Sequence, residues 1–221
     1  MNNGVLESIW RKFFAGKSSA WMGIFTCILT VFTGIQVWMA RISNENAIAT
    51  QRAFVIPAGQ VPGSKVVHNG KIARMAFILS FENSGVTPAR RALGRSNVQL
   101  FQNSLPENYG FPDLSDSVPT PVSIGPKVTA TQSVGVPISD VIAASKDGHL
   151  YTWGWIAYDD VFRGTPRRLV EFCYELAHIS ATLPDFTDPK AEFNWISLPC
   201  RTHNCQDQDC PDYNQKLAGR E

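Results

Sequence analysis

The sequence predicts a mainly β chain, in which a β-sandwich follows one N-terminal transmembrane helix and a short helical stalk. Three observations carry this. Trp21 to Ala40 holds no charged residue across twenty positions, which matches the roughly 20 apolar residues a bilayer core requires. Beyond residue 53, short runs alternate apolar and polar between turn residues, the period-two signature of half-buried strands. The 16 Gly, 14 Pro and 11% aromatic content suit many strands joined by turns.

Five segments follow in order: an amphipathic piece over 1–20, the membrane span over 21–40, a stalk over 41–52, a β-sandwich over 53–182, and a cysteine-containing extension over 183–221. In the first, Val5, Leu6, Ile9, Trp10, Phe13 and Phe14 share one helical face near Arg11, Lys12 and Lys17. That pattern fits a helix in the headgroup layer, or a downward continuation of the span. Trp21 and Trp38 stand near the two ends of the span, at the depth amphipathic rings prefer. Gly23, Cys27, Thr30 and Gly34 recur at small-residue spacing, so two copies of the helix can approach closely and form a homodimer.

A removable signal peptide is the alternative. Ala47-Ile48-Ala49 matches a small-x-small cleavage pattern, but the apolar run exceeds the 7–15 residues of such leaders, and Arg41 and Glu45 intervene. Arg11, Lys12 and Lys17 precede the span, and Arg41 and Arg52 follow it. The positive-inside rule therefore places the N-terminus in the cytoplasm and the domain outside it, in a periplasm, on a single-pass inner-membrane protein. With 18% charged residues and net charge +1, the chain carries no basic stripe for nucleic acid.

Within the domain, Ala53–Ile56 forms a short strand stopped by Pro57 and Gly59. Asn69-Gly70 between apolar runs marks a hairpin. Ile72–Glu82 alternates, with Met75, Phe77, Leu79 and Phe81 on one face. Asn97–Phe101 is a strand, 103–126 a proline-rich loop, and Lys127–Val136 a strand. Ser139 or Asp140 caps a short helix through Ala144. Tyr151–Tyr158 and Arg167–Ile179 pair as a hairpin. Trp153 and Trp155 share a face that either packs or meets a partner.

The chemistry concentrates in cysteine. Cys173, Cys200, Cys205 and Cys210 number four, which outside the cytoplasm implies two disulfides. Cys200, His203, Cys205 and Cys210 also offer the thiolates and imidazole that suit tetrahedral zinc, the reading a cytoplasmic domain would favour. A polar tail with unpaired thiols is the third reading. Asp207, Asp209 and Asp212 lack the glycine and distal glutamate of a calcium loop and count as solvated charges. Gly59–Lys65 has the wrong glycine spacing for a phosphate loop. His178 reads as a structural histidine on the apolar face of its strand, and Asp159-Asp160 as turn formers. No G-x-S-x-G or H-E-x-x-H motif is present.

Three motifs resemble those of a widespread group of uncharacterised bacterial single-pass membrane proteins. They are Arg52-Ala53-Phe54-Val55, Asn83-Ser84-Gly85-Val86-Thr87-Pro88-Ala89, and Tyr158–Phe162 before Phe172-Cys173. The resemblance implies a short anchor and an immunoglobulin-like domain, with no activity to transfer. The functional expectation is a membrane-anchored binding or scaffolding module, with the bilayer and an unidentified protein as partners and no cofactor. A zinc-binding regulator and an enzyme whose site is not announced are the alternatives. A cleft collecting Asp160, His178 and a cysteine would favour the enzyme.

Overall fold

A computed structural model describes residues 18–218, so all but the end of the predicted amphipathic segment over 1–20 lies outside it. The chain divides after Thr50 into two units, each described by itself.

The first unit is helix α1, Ser18–Gln51, which runs through the predicted span and the predicted stalk. No proline interrupts it, and after Gly34 no glycine does. Thr26, Thr30 and Thr33 donate their hydroxyls to the carbonyls four residues back, at 2.8, 2.8 and 2.7 Å. Their polar groups thus need no partner outside the helix, as apolar surroundings require. The stretch Trp21–Gln51 is long and apolar enough to cross a membrane, with none of its most apolar window buried.

The second unit holds nine strands among the described residues. They are β1 (Val55–His68), β2 (Lys71–Asn83), β3 (Ala89–Phe101), β4 (Thr120–Ile124), β5 (Thr129–Pro137), β6 (His149–Asp159), β7 (Arg168–Ala181), β8 (Phe193–Pro199) and β9 (Cys205–Gln206). Helix α2 (Ile138–Ala144) joins β5 to β6, and α3 (Tyr213–Ala218) lies near the end. One sheet has the order β1-β2-β5. The other has the order β4-β3-β6-β7-β8, with β9 also on β7.

The sheets face each other as the alternation predicts. Met75, Phe77, Leu79 and Phe81 are all at most 1% exposed. Leu79 and Phe81 pack with Ile156, Tyr158 and Phe172 of the facing sheet. Met75 and Phe77 pack with Leu150 and Leu176. The β1–β2 hairpin turns at Asn69 and Gly70, whose φ values of 50° and 73° are those of a type I′ turn. The expected β6–β7 hairpin is present, with Trp155 opposite Glu171.

Three expectations are corrected. Strand β1 does not stop at Pro57 but continues to His68, with register shifts between Pro57 and Gly59 and between Pro62 and Lys65. It is an edge strand, where proline costs no ladder bond. Helix α2 has no side-chain cap: Pro137 holds the cap position, and Ser139 bonds to Asp140 instead. The stretch 103–126 contains β4. Moreover, β8 and β9 complete the larger sheet, so residues beyond 182 belong to the same compact unit.

One junction ties the strands together. The Asn83 side chain, fully buried, accepts from the backbone N–H of Phe54 and Gly85, each at 3.0 Å. It donates to the carbonyls of Thr87 and Gly125 at 2.7 and 3.1 Å. Beside it, the Tyr158 hydroxyl accepts from Val55 N–H and donates to the Ala53 carbonyl, each at 3.3 Å. Burial pushes that phenol up to about 12, so it keeps its proton across the ordinary pH range. A Cβ on Gly85 would lie 2.2 Å from the Arg52 carbonyl oxygen.

Asn83→Ala leaves buried donors and acceptors unmade at about 1–3 kcal/mol for each group. We expect it to destabilise the domain by at least about 3 kcal/mol in chemical denaturation, with Gly85→Ala similarly costly. A loss below 1 kcal/mol (~) for both would contradict this account of the junction.

Candidate functional site

Strand β6 is buried along nearly its whole length, because both of its faces are covered. Leu150, Thr152, Ile156 and Tyr158 face the space between the sheets. Tyr151, Trp153, Trp155 and Ala157 face outward, under a second layer formed by the 102–119 loop and the segment after β8. The Trp153 indole donates to the Pro112 carbonyl at 3.1 Å, and that of Trp155 to the Asp113 carboxylate at 3.0 Å. Trp153 is 0% and Trp155 3% exposed. The tryptophans therefore pack, as one of the two readings has it, though against a loop rather than within the sandwich.

The outer face of β7 contributes Glu171, Cys173 and Glu175. Cys173 is bonded to Cys200 and Cys205 to Cys210, while Cys27 is free and exposed on α1. The four cysteines of the domain thus form two pairs, and the polar tail is anchored rather than loose. Cys210 and Tyr213 are buried against Trp155 and Leu169.

Glu171 is the centre of this layer. It is 2% exposed, and its Oε2 lies 2.8 Å from Lys216 Nζ, 3.2 Å from His203 Nδ1 and 3.5 Å from Cys205 Sγ. Burial opposes its ionisation. The hydrogen bonds from His203 and Lys216 outweigh that and hold the carboxyl down to about 2. The His203 ring stacks on Phe111 of the covering loop, centroids 4.2 Å apart. A strand carboxylate, the C-terminal helix and the loop are therefore held together by one imidazole and one ammonium. A cleft of about 570 Å³ opens alongside, lined by Val55, Pro57, Glu171, Tyr174, Asn204 and Gln206 among others.

The predicted zinc set is not assembled as such. Cys200 is bound to Cys173, whereas the ligand atoms within 4.8 Å of one another are those of Glu171, Cys205 and Cys210, and those two sulfurs are joined. Asp207 is no solvated charge: its carboxylate accepts from Leu169 N–H at 3.0 Å and meets Arg168 at 3.2 Å and Arg52 at 3.7 Å. Asp159 and Asp160 do more than turn the chain. They diverge to Arg167 at 3.0 Å and Arg168 at 2.9 Å. His178 is exposed at a bulge in β7 with φ 54°, not on the apolar face. It stands ten residues along β7 from Arg168, the partner of Asp160, roughly 33 Å of strand away. Asp160 and His178 are thus not gathered into one cleft.

Glu171 escapes a sequence reading, and so does the bonding role of Asn83, which the sequence shows only as the first residue of the 83–89 motif. Glu171 occupies an alternate position between Val170 and Phe172, which on a half-buried strand denotes the solvent side. Only the second layer reverses that.

Comparison with protein families gives no match, nor does comparison with curated proteins. The resemblance to a bacterial family therefore rests on its motifs alone. Among solved structures, β-glucosidase 3B from Thermotoga neapolitana, in complexes with glucose and with glycerol, aligns at 9% identity and a TM-score of 0.25. The alignment covers 72% of this chain and 17% of that one, so the chain spans under a fifth of that enzyme's length. A likeness at that level carries no argument about fold or activity.

Because the Glu171 carboxyl is depressed below its ordinary value near 4.3, its contribution is present above that value and lost as pH falls toward about 2. Glu171→Gln should therefore lower unfolding stability at neutral pH by about 2–3 kcal/mol. The gap between variant and parent should close as acid titrates the parent between about pH 4 and pH 2. A gap that persists unchanged at the acid end would show that Glu171 acts through packing alone.

Proposed function

We propose that this protein is a single-pass membrane protein displaying an immunoglobulin-like β-sandwich as a binding or scaffolding module. The observation that carries the reading is the pairing of two features in one chain. A long apolar helix with its most apolar window uncovered precedes a domain closed by two disulfides. Disulfides persist in oxidising compartments, which supports a cytoplasmic N-terminus and a domain outside the cytoplasm, on an inner membrane. The strand order supports the immunoglobulin-like class: β1-β2-β5 against β4-β3-β6-β7 matches the A-B-E and C′-C-F-G arrangement, with β8 and β9 added at one edge.

Trp153 and Trp155 are covered, so the partner surface is sought on the outer side of the 103–126 stretch, where Val118 is 71% exposed. Gly23, Cys27, Thr30 and Gly34, small residues spaced four, three and four apart along α1, support pairing of two anchors. A zinc-dependent regulator is the second reading. It is favoured by the closeness of Glu171, Cys205 and Cys210, and it requires both thiols reduced.

A reporter enzyme active only outside the cytoplasm, fused after Glu221, tests the orientation. We expect activity, together with a single alkylatable thiol, Cys27, in the denatured, unreduced chain. An inactive reporter with all five cysteines alkylated would overturn the orientation and favour the metal reading.

A further inference from the structure

We infer that the free edge of β5 receives an extended strand from a partner polypeptide, which adds to the β1-β2-β5 sheet by main-chain pairing. The inference rests on the reading of the domain as a binding module and names how it binds.

The two strand orders end on β1, β5, β4 and β8. Three of these edges are blunted. β1 carries Pro57, Pro62 and Lys65, and its register with β2 shifts. β4 is only five residues long and contains Pro121. β8 has a register shift opposite Ala177 and Ser180 and ends at Pro199. Proline, lysine, irregular register and short length are the usual guards against pairing with another chain. β5 lacks them over residues 129–136. It runs nine residues without a charge, and its register with β2 is unbroken from Thr129 to Pro137. Alternate N–H and C=O groups of such an edge point away from the neighbouring strand. Among the described residues no strand pairs with β5 from that side.

The edge borders a groove of about 400 Å³, with Gln132 and Gly135 of β5 on one side and Ser96 and Asn97 of β3 on the other. The groove exists because β4 is short. Its pairing with β3 ends at Gly94 opposite Thr120, so β3 from Arg95 onward has no strand on that side. The Ser96 hydroxyl donates to Gln132 Oε1 at 2.7 Å, and Gln132 Nε2 donates to the Gly94 carbonyl at 3.0 Å. These buried bonds hold β3 and β5 at a fixed separation. Asn97 is 1% exposed, and its Oδ1 accepts from Leu114 N–H at 2.9 Å and from the Ser117 hydroxyl at 2.6 Å. Its Nδ2 has no partner among the described residues. A buried donor left over in this way marks a site where an acceptor is missing, and a strand carbonyl is such an acceptor.

Shape and charge define the occupant. The segment before β4, with Asp116 and Val118, walls the groove opposite β5, so one strand fits and the edge of a second sandwich does not. Arg74 of β2 also lines it and donates to the Gly135 carbonyl at 3.2 Å. Neither Arg74 nor Asp116 has an ion pair among the described residues. A strand antiparallel to β5 brings its N-terminal half to the Gly135 end, where an acidic side chain meets Arg74. The partner is therefore an extended, proline-free segment of another protein with an acidic residue in its N-terminal half. Main-chain bonds to β5 supply affinity in this mode, and the side-chain contacts supply selectivity.

The test uses the full chain, reconstituted in phosphatidylcholine nanodiscs, as bait for a phage-displayed library of random octapeptides. Synthetic copies of the enriched sequences are then titrated while amide hydrogen exchange is followed along the chain. We expect alternate amides of β5, fast in the free chain, to slow at least about tenfold at saturation. The enriched sequences should lack central proline and carry Asp or Glu in their N-terminal half, and Arg74→Glu should weaken them at least about fivefold. Exchange on the unchanged chain decides even if that variant folds badly. All β5 amides already slow in the free chain would show the edge covered, by a second copy for example, and would overturn the proposal. Protection confined to the 102–119 loop or to the cleft beside Glu171 overturns the edge and leaves the binding module standing. A library with no enriched sequence overturns both.

Discussion

The carboxamide of Asn83 is the constraint on which the domain depends. Its two acceptor bonds fix the backbone of residues 54 and 85, and its two donor bonds fix residues 87 and 125. It therefore joins the start of β1, the β2–β3 turn and the turn before β5. No apolar residue of the same size can do this, and a half-satisfied buried network is worse than none. Tyr158 closes the same junction from the facing sheet. The three motifs that stand apart in the sequence, at 52–55, 83–89 and 158–162, are thus mutual partners in space. Each looks like an isolated turn or strand start because its reason lies in the other two.

A second layer distinguishes this sandwich from a minimal one. The Cys173–Cys200 bridge closes 27 residues of chain, worth about 3.5 kcal/mol in the chain-entropy account. The Cys205–Cys210 bridge closes five and is worth about 2 kcal/mol. The downward shift of Glu171 is of similar size, about 3 kcal/mol. Ionic and covalent ties therefore both hold the C-terminal segment over β7. The segment in turn keeps Trp155 dry, while the 102–119 loop covers Trp153.

Much of the sandwich is legible in the sequence, for local reasons. Asn69-Gly70 specifies a turn with positive φ at both residues, and Met75 to Phe81 alternate because one face of β2 is wet and the other packed. The apolar stretch of α1 needs no context. What is not legible depends on distant chain. The continuation of β1 past Pro57 follows from its place at a sheet edge, which only the sheet order reveals. Trp153 and Trp155 could face a partner or a loop, and the 102–119 loop decides. Cysteine pairing has three solutions in sequence and one in the fold. Asp207 reads as solvated beside Asp209 and Asp212, yet Arg168 and Arg52 reach it from far along the chain.

Amide hydrogen exchange tests the central claim most directly. The N–H groups of Phe54 and Gly85, which bond to Asn83, and that of Val55, which bonds to Tyr158, should exchange only with global unfolding. Their rates should match the core amides of β2 at Phe77 and Leu79. Exchange of the junction amides at the much faster rate of the exposed Asn69-Gly70 turn would contradict the account.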